Sequence, residues 1–271
     1  SLLIVGYKPL SCEIVGRVGN TRNVLAVVTP RRARAPRTLT RTELLDRATD
    51  RREAPRRTQL IASWKLAPRY ETNGRSPYAG GAGSLMQLLP EATLLAHPYG
   101  ARHMIDPARL EAGARGVYGD EMFDRVYGQL IPVDESRVRI MEDGDELTLG
   151  NRQLRFIDTP GHARHHFCVH DSLTNGWFTG DTFGLSYREF DTEKGAFLFP
   201  TTTPVQFDPE PLKQSVRRLV ANGPDCMYLT HYGRVQDVPR LAEKMIEGVD
   251  TLAGFGEKYK DSPSRTQEIE A

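Results

Sequence analysis

Three short stretches of the chain each end a predicted strand with a side chain that binds metal ions well. "DTPGH" ends in His162, "FTGD" ends in Asp181 and "YLTH" ends in His231. Imidazole and carboxylate groups are common ligands of zinc, iron and manganese. A bound metal ion lowers the pKa of its water to roughly 7, so that the water becomes hydroxide at physiological pH. The residue types therefore fit a metal site that supports hydrolysis.

Each of these signals has a plainer explanation when it is taken alone. A single histidine after a turn is more often a hydrogen-bonded structural residue, and an aspartate after glycine frequently closes a turn. The occurrence of three such signals, each at a strand end, favours a site. Rigid strands fix the direction of the side chains that follow them, and function often collects there.

The elements that must position these residues alternate between strands and helices after residue 79, which predicts an α/β layered domain. The stretch from "GARHM" to "DRVYG" is predicted as two helical pieces. Residues 261–271 are predicted as a flexible tail. The other predicted elements are a strand in "TLLAHP", strands joined by a hairpin-type turn at Asp143-Gly144, two strands around a turn at Asn175-Gly176, a strand in "CMYLT", an amphipathic helix in "DPEPLKQSVRRLVANG" and a final helix in "VPRLAEKMIEGVDTLAGFGEKY".

The first 78 residues differ in charge and composition from the rest. They hold 16 Lys+Arg and 6 Asp+Glu. The remainder holds 20 Lys+Arg, 29 Asp+Glu and all seven histidines. Short strands are predicted in "SLLIVG" and "NVLAVVT", but residues 30–78, rich in Arg, Pro, Ala and Thr, are predicted to be poorly ordered or loosely attached. Clustered arginines can contact phosphates, yet residues 30–60 contain no aromatic side chain. We therefore expect no nucleic acid partner.

Composition limits the compartment and the class of partner. No apolar run in the 271 residues reaches the roughly 18 positions of a membrane span, so we expect no transmembrane helix. The first residues lack a basic n-region, which argues against a signal peptide. The three cysteines have no close spacing and indicate a reducing compartment rather than a disulfide framework. We expect a cytoplasmic protein with a small-molecule substrate and no membrane partner, and the oligomeric state stays open.

The three motifs together resemble those of a known family. "DTPGH", "FTGDTFG" and "YLTHYG" resemble the third, fourth and fifth motifs of the metallo-β-lactamase superfamily of hydrolases, and "AGGAG" at residues 79–83 resembles the stretch after its second motif. The resemblance covers roughly residues 79–250. It implies a four-layer αβ/βα sandwich with one or two metal ions, zinc or else iron or manganese, at the edge between the sheets. It also implies that His162 ligates the first metal, that Asp181 bridges both and is catalytic, and that His231 ligates the second.

The family's second motif, HxHxDH, is missing from this chain. The six residues before Ala79 are "NGRSPY", so four of the usual metal ligands have no counterpart and the N-terminal part is atypical. Three explanations stay open: a natural loss of the metals with the fold kept, a mis-joined or out-of-frame reading before Ala79, and substitution by other histidines. His170 and the adjacent pair at 165 and 166 fit better as surface or supporting residues, because they follow strand alternation poorly. The candidates for substitution are His97, His103, His165 and His166.

The remaining ligands limit the expected activity. Two histidines and one carboxylate suffice in principle for one catalytic ion. In the family geometry, however, the two histidines address different ions, on the order of 3.5–4 Å apart. We therefore expect weak metal binding or none, and impaired hydrolysis of an ester, thioester, lactam or phosphoester. The alternative is a non-catalytic pseudoenzyme that acts as a binding or interaction protein on the same fold.

A long segment between Asp181 and the next helix, residues 184–210, is predicted to line a substrate pocket. The alternative is that its aromatic side chains only pack the segment against the domain. An arginine in this segment could pair with a carboxylate or phosphate of a substrate. The candidate substrate contacts are Tyr187, Arg188, Phe199 and, beside His231, Tyr232.

Overall fold

The computed structural model describes most of the chain after residue 91 and only short pieces before it. Tyr232 and most of residues 30–78 lie outside the described residues, so the predictions that concern them stay predictions. The described ranges are 2–5, 25–27, 58–62, 82–83, 86–87, 92–126, 128–149, 152–202, 206–231 and 233–270.

The first sheet has five strands in the order β2-β1-β3-β4-β5, and every neighbouring pair is parallel. The strands predicted in "SLLIVG", "NVLAVVT" and "TLLAHP" are confirmed as β1, β2 and β4. Strand β3 lies inside the arginine-rich segment, where the short run "TQLIA" is extended. The strands are β1 Leu2–Val5, β2 Leu25–Val27, β3 Thr58–Ala62, β4 Ala92–Ala96 and β5 Val138–Ile140.

The second sheet has six strands in the order β11-β10-β9-β8-β7-β6. Its neighbours are antiparallel except for β9 and β10, which run parallel. The predicted turn between β8 and β9 is confirmed, and Asn175 adopts a φ of 44° there, a left-handed conformation that asparagine tolerates. The strands are β6 Glu146–Leu149, β7 Arg152–Asp158, β8 Phe167–Asp171, β9 Gly176–Gly180, β10 Cys226–Leu229 and β11 Gly233–Val235.

The turn at Asp143-Gly144 does not join a hairpin, so that prediction is wrong. Strand β5 pairs with β4 in the first sheet, whereas β6 pairs with β7 in the second. Gly144 has a φ of 87°, as a tight turn requires, but the turn carries the chain from one sheet to the other. An Asp-Gly signal reports local backbone geometry and does not specify which strands pair.

The helices agree with the predictions near the C-terminus and differ in one stretch. The region predicted as two helical pieces contains three helices, because Gly119 ends the second with a φ of 75° and a further helix begins at once. The predicted tail contains a short helix with mostly exposed side chains, and its flexibility stays a prediction. The helices are α1 Pro98–Ile105, α2 Ala108–Tyr118, α3 Asp120–Val126, α4 Pro209–Val220, α5 Val238–Tyr259 and α6 Arg265–Glu270.

The second sheet is covered on both faces. One face contacts the first sheet through a cluster that includes Leu95 of β4 together with Phe156 and Val169. The other face packs against α4 and α5, where Leu212 and Leu241 are fully buried. All five residues of "GWFTG" in β9 are buried, as expected for a central strand with both faces covered. With α1 against β5 of the first sheet, this is the expected αβ/βα sandwich.

The described part of the chain contains no helix that could span a membrane. None of its helices combines the length and the apolar composition that crossing a bilayer requires.

Candidate metal centre

The three motif side chains meet at one edge of the second sheet. His162 follows β7, Asp181 follows β9 and His231 follows β10. Strands β9 and β10 are parallel, and β7 points the same way as β9 because both are antiparallel to β8. The carboxyl ends of all three strands therefore lie at the same edge. All three side chains are buried there.

The carboxylate of Asp181 lies between the two imidazoles. His162 Nε2 is 3.5 Å from Asp181 Oδ2, and His231 Nε2 is 3.8 Å from Asp181 Oδ1. Each histidine thus faces a different carboxylate oxygen, which suits one cation on either side of the carboxylate. The donor set fits zinc, iron or manganese in its chemistry. Within the described ranges, however, no three His, Cys, Asp or Glu side chains form a group that could hold one ion by themselves.

The turn that presents His162 depends on a glycine. Gly161 has a φ of 120°, and a Cβ built on it would lie 2.1 Å from the backbone nitrogen of Leu212 in α4. The Gly161 carbonyl accepts a hydrogen bond of 2.7 Å from the backbone N–H of Asp208, just before that helix. The "TPG" sequence therefore lets the chain approach α4 closely and sets the direction of His162.

A buried histidine holds the backbone of Asp181. Nε2 of His166 accepts a hydrogen bond of 3.1 Å from the Asp181 N–H. Its Nδ1 lies 3.0 Å from Thr182 Oγ1 and 3.1 Å from Thr159 Oγ1. Burial is the main cause that lowers the pKa of His166 to about 3, so the ring is neutral. Because Nε2 accepts a hydrogen bond, the single ring hydrogen is on Nδ1. Because Nε2 is used by the backbone, His166 supports Asp181 and does not replace a missing ligand in this arrangement.

His97 links the two sheets beside the site. Its Nε2 lies 3.1 Å from Asp158 Oδ1 at the end of β7, and its Nδ1 accepts from the backbone N–H of Tyr99 at the start of α1. Both ring nitrogens therefore have partners in the protein. His97 acts here as a helix cap and a link between sheets, which leaves it poorly placed to serve as a substitute ligand.

His165 and His170 differ in their surroundings. Burial, followed by the charges of His97 and His103, lowers the pKa of His165 to about 4. His170 contacts Asn175 Oδ1 at 3.2 Å and stacks at a tilt on Trp177, in the turn at the opposite end of β8. It supports that turn and is remote from the strand ends that hold the motif residues.

A threonine that the sequence analysis did not single out contacts two of the motif residues. Thr201 Oγ1 donates a hydrogen bond of 2.9 Å to the backbone oxygen of Asp181 and lies 3.0 Å from His162 Nδ1. The side chain is buried. Nothing in the run "TTT" signals this role, because Thr201 is separated from both partners by about twenty residues or more and meets them only in the fold.

The segment after Asp181 is attached to the site at both ends. The backbone N–H of Ser186 donates to the His231 carbonyl over 2.6 Å, and an isolated bridge pairs Leu185 with Phe199. Thr201 contacts the site at the other end of the segment. Residues 185–201, called the strap below, therefore lie beside the three motif residues. This position is compatible with the predicted substrate-facing role.

The candidate substrate contacts on this strap differ in their surroundings. Tyr187 and Phe199 are 38% and 43% exposed, so both present aromatic surface to solvent. Arg188 forms an ion pair of 3.2 Å with Asp191 and donates to the Arg234 carbonyl over 2.8 Å. In this arrangement Arg188 fastens the strap to β11, and binding an anionic substrate would require it to exchange these partners. The substrate roles of all three stay predictions.

Comparison with protein families matches more than half of the chain. The sequence profile described as the metallo-beta-lactamase superfamily matches residues 78–231. The metallo-beta-lactamase fold-containing protein ST1585 of Sulfurisphaera tokodaii is 32% identical over 140 residues, which are 51% of this chain and 48% of that protein. The human acyl-coenzyme A thioesterase MBLAC2 is 45% identical over 42 residues, 16% of this chain and 15% of that protein. The chain thus spans about half the length of ST1585, and only a short piece of the thioesterase.

Comparison with solved structures gives the same fold. The crystal structure of ST1585 from Sulfolobus tokodaii superposes with a TM-score of 0.55 at 26% identity and covers 70% of this chain and 66% of that one. The metallo-beta-lactamase family protein TTHA1429 from Thermus thermophilus gives 0.52 at 18% identity, over 86% and 73%. TTHA1623, solved in a di-iron-bound form, gives 0.51 at 18% identity, over 89% and 96%. The last two are similar in fold alone.

Proposed function

This chain belongs to the metallo-beta-lactamase superfamily, a family of hydrolase type, and from that premise we propose that it is a metal-dependent hydrolase with reduced metal affinity. One observation supports the proposal above all. The buried Asp181 carboxylate lies between His162 and His231, with each Nε2 facing a different oxygen. This arrangement supports a role in which each carboxylate oxygen would contact a cation beside the histidine that faces it.

The protein's own groups would prepare the site for the reaction. A bound divalent metal would supply a hydroxide nucleophile and polarise the scissile carbonyl. His162 and Asp181 would hold an ion on one side of the carboxylate, and His231 and Asp181 would hold an ion on the other side. His166 and Thr201 fix the Asp181 backbone, so the carboxylate needs little reorganisation. Burial of these side chains lowers the local dielectric and strengthens their interaction with a cation.

Reduced affinity follows from the number of ligands. Catalytic zinc sites have about three protein ligands. Among the described residues, each side of Asp181 has one imidazole and one carboxylate oxygen, and the sequence lacks HxHxDH. We propose zinc or iron as the metal, the latter because the structural relative TTHA1623 binds two irons. We propose a thioester or ester as substrate, because of the short match to an acyl-coenzyme A thioesterase.

The second candidate is a non-catalytic protein that binds small molecules or a partner on this scaffold. It is favoured by the lack of any preformed three-ligand group in the described part of the chain. The two candidates differ in whether the purified chain takes up metal.

Elemental analysis of the purified chain after incubation with zinc or iron(II) separates them. We expect roughly one ion per chain, lost in His162→Ala and retained in His170→Ala. The second variant is a matched control, because it removes an imidazole from the opposite end of β8. Hydrolysis of acyl-coenzyme A thioesters and simple esters by the loaded chain would then be measured. A wild-type chain that takes up neither metal would refute the hydrolase proposal and favour the binding protein.

A further inference from the structure

We propose that Thr201 is a positioning residue that sets the tautomer of His162 and thereby aims the lone pair of its Nε2 at the space beside Asp181. The inference deepens the proposed function and rests on it for the role of the metal. The tautomer itself is a property of the metal-free chain, so it can be tested even if the proposed function fails.

The assignment follows from the hydrogens that are available. A threonine hydroxyl has one hydrogen, and Thr201 donates it to the Asp181 backbone oxygen over 2.9 Å. The contact of 3.0 Å between Thr201 Oγ1 and His162 Nδ1 then needs its hydrogen from the imidazole. The carbonyl oxygen of Thr201, 3.5 Å from the same Nδ1, is a second acceptor on this side of the ring. Nδ1 of His162 is therefore the protonated nitrogen.

The consequence appears on the other side of the ring. In the neutral imidazole, Nε2 bears a lone pair and faces Asp181 Oδ2 at 3.5 Å. A nitrogen lone pair and a carboxylate oxygen at this distance would both attract a cation placed beside them. The hydroxyl of Thr201 thus makes this side of the site attractive to a cation. It acts as the outer partner that metal-ligating histidines commonly have, where the outer hydrogen bond fixes the tautomer and the direction of the ring.

The Thr201 hydroxyl contacts both His162 and the backbone oxygen of Asp181. The backbone N–H of Asp181 is held separately, by His166. His166 Nδ1–H can donate to Thr182 Oγ1. The Thr182 hydroxyl donates to Thr159 Oγ1 over 3.3 Å. The Thr159 hydroxyl donates to the His166 carbonyl over 3.4 Å, which closes a ring of hydrogen bonds. Every hydrogen in this ring has an acceptor. Because the ring fixes the Asp181 N–H without Thr201, we expect the loop to keep its fold when the Thr201 hydroxyl is removed.

The test uses three variants. Thr201→Val removes the hydroxyl and keeps the shape of a buried side chain, and Thr201→Ser keeps the hydroxyl. Thr202→Val is the matched control, since it makes the same substitution at the neighbouring half-buried position. The tautomer of His162 is read from long-range nitrogen–proton correlation spectra of the metal-free chain, at a pH where titration shows the ring neutral, with His162→Gln for assignment.

We expect hydrogen on Nδ1 in the wild type, in Thr201→Ser and in Thr202→Val, and a shift towards hydrogen on Nε2 in Thr201→Val. We also expect the zinc affinity, measured by competition with a chromophoric chelator, to fall about 10- to 100-fold in Thr201→Val only. An unchanged tautomer in Thr201→Val would overturn the proposal, as would an equal loss in Thr201→Ser. If the wild type binds no zinc, the proposed function fails while the tautomer still decides the role of Thr201.

Discussion

The glycine before His162 offers a sharp test of how the site is built. In Gly161→Ala the new Cβ would lie 2.1 Å from the backbone nitrogen of Leu212 and 2.3 Å from its Cα. These are backbone atoms of α4, which cannot rotate away as the end of a flexible side chain can. The position also has a φ of 120°, which alanine rarely adopts. The substitution must therefore move the turn, the helix or both.

The expected cost has two parts. A non-glycine residue in a sparsely populated backbone region costs roughly 1–3 kcal/mol. Inserting a methyl group into a packed interface costs roughly 1–3 kcal/mol more. We therefore expect the free energy of unfolding to fall by about 2–6 kcal/mol in Gly161→Ala. Because the strain is relieved by moving the turn, His162 should also shift and metal uptake should fall.

Urea unfolding followed by fluorescence and circular dichroism measures the change, with the shift of the midpoint as the readout. Gly113→Ala is the control: it lies in the exposed part of α2, and a Cβ there meets no atom within 4 Å. Since alanine is the better helix former, that variant should be more stable by roughly 0.5–1 kcal/mol. An unchanged or raised midpoint for Gly161→Ala would refute the claim that close approach to α4 fixes the turn.

Three further predictions concern buried groups outside the motif residues. Arg152→Ala should lower the free energy of unfolding by about 3–5 kcal/mol, because it leaves the buried Asp171 carboxylate without its 2.6 Å ion pair. In urea unfolding, the double variant with Asp171→Ala should lose less stability than the sum of the losses in the two single variants. His97→Ala should lower the free energy of unfolding by about 1–2 kcal/mol, because the helix loses its N-terminal cap. Asp158→Asn keeps an acceptor for His97 and should lower it by less in the same assay. Burial raises the pKa of the Cys168 thiol to about 12, above its usual 9.0. The folded chain is therefore favoured below pH 9, and its free energy of unfolding should fall as the pH rises from about 9 towards 12. At pH 9 iodoacetamide should modify Cys168 only after urea is added, as peptide mass spectrometry would show.

The sequence alone determined much of the second sheet and the identity of the three residues that meet at its edge. Local signals were enough for this, because strand alternation, helical periodicity and turn residues act over a few neighbouring positions. The motif "TPGH" also reports a local need, since the glycine and the histidine are adjacent. The resemblance to a family gave the αβ/βα sandwich, which the comparisons confirmed.

Only the tertiary structure decided which distant residues serve the site. The Asp143-Gly144 turn looked like a hairpin, yet its flanking strands pair in different sheets, because pairing depends on contacts far along the chain. Thr201 and His166 contact Asp181 through hydrogen bonds whose partners are about fifteen to twenty positions apart, and neither has a distinguishing local pattern. Sequence supplies the donor types, whereas the direction of each lone pair depends on which buried groups the fold places behind it.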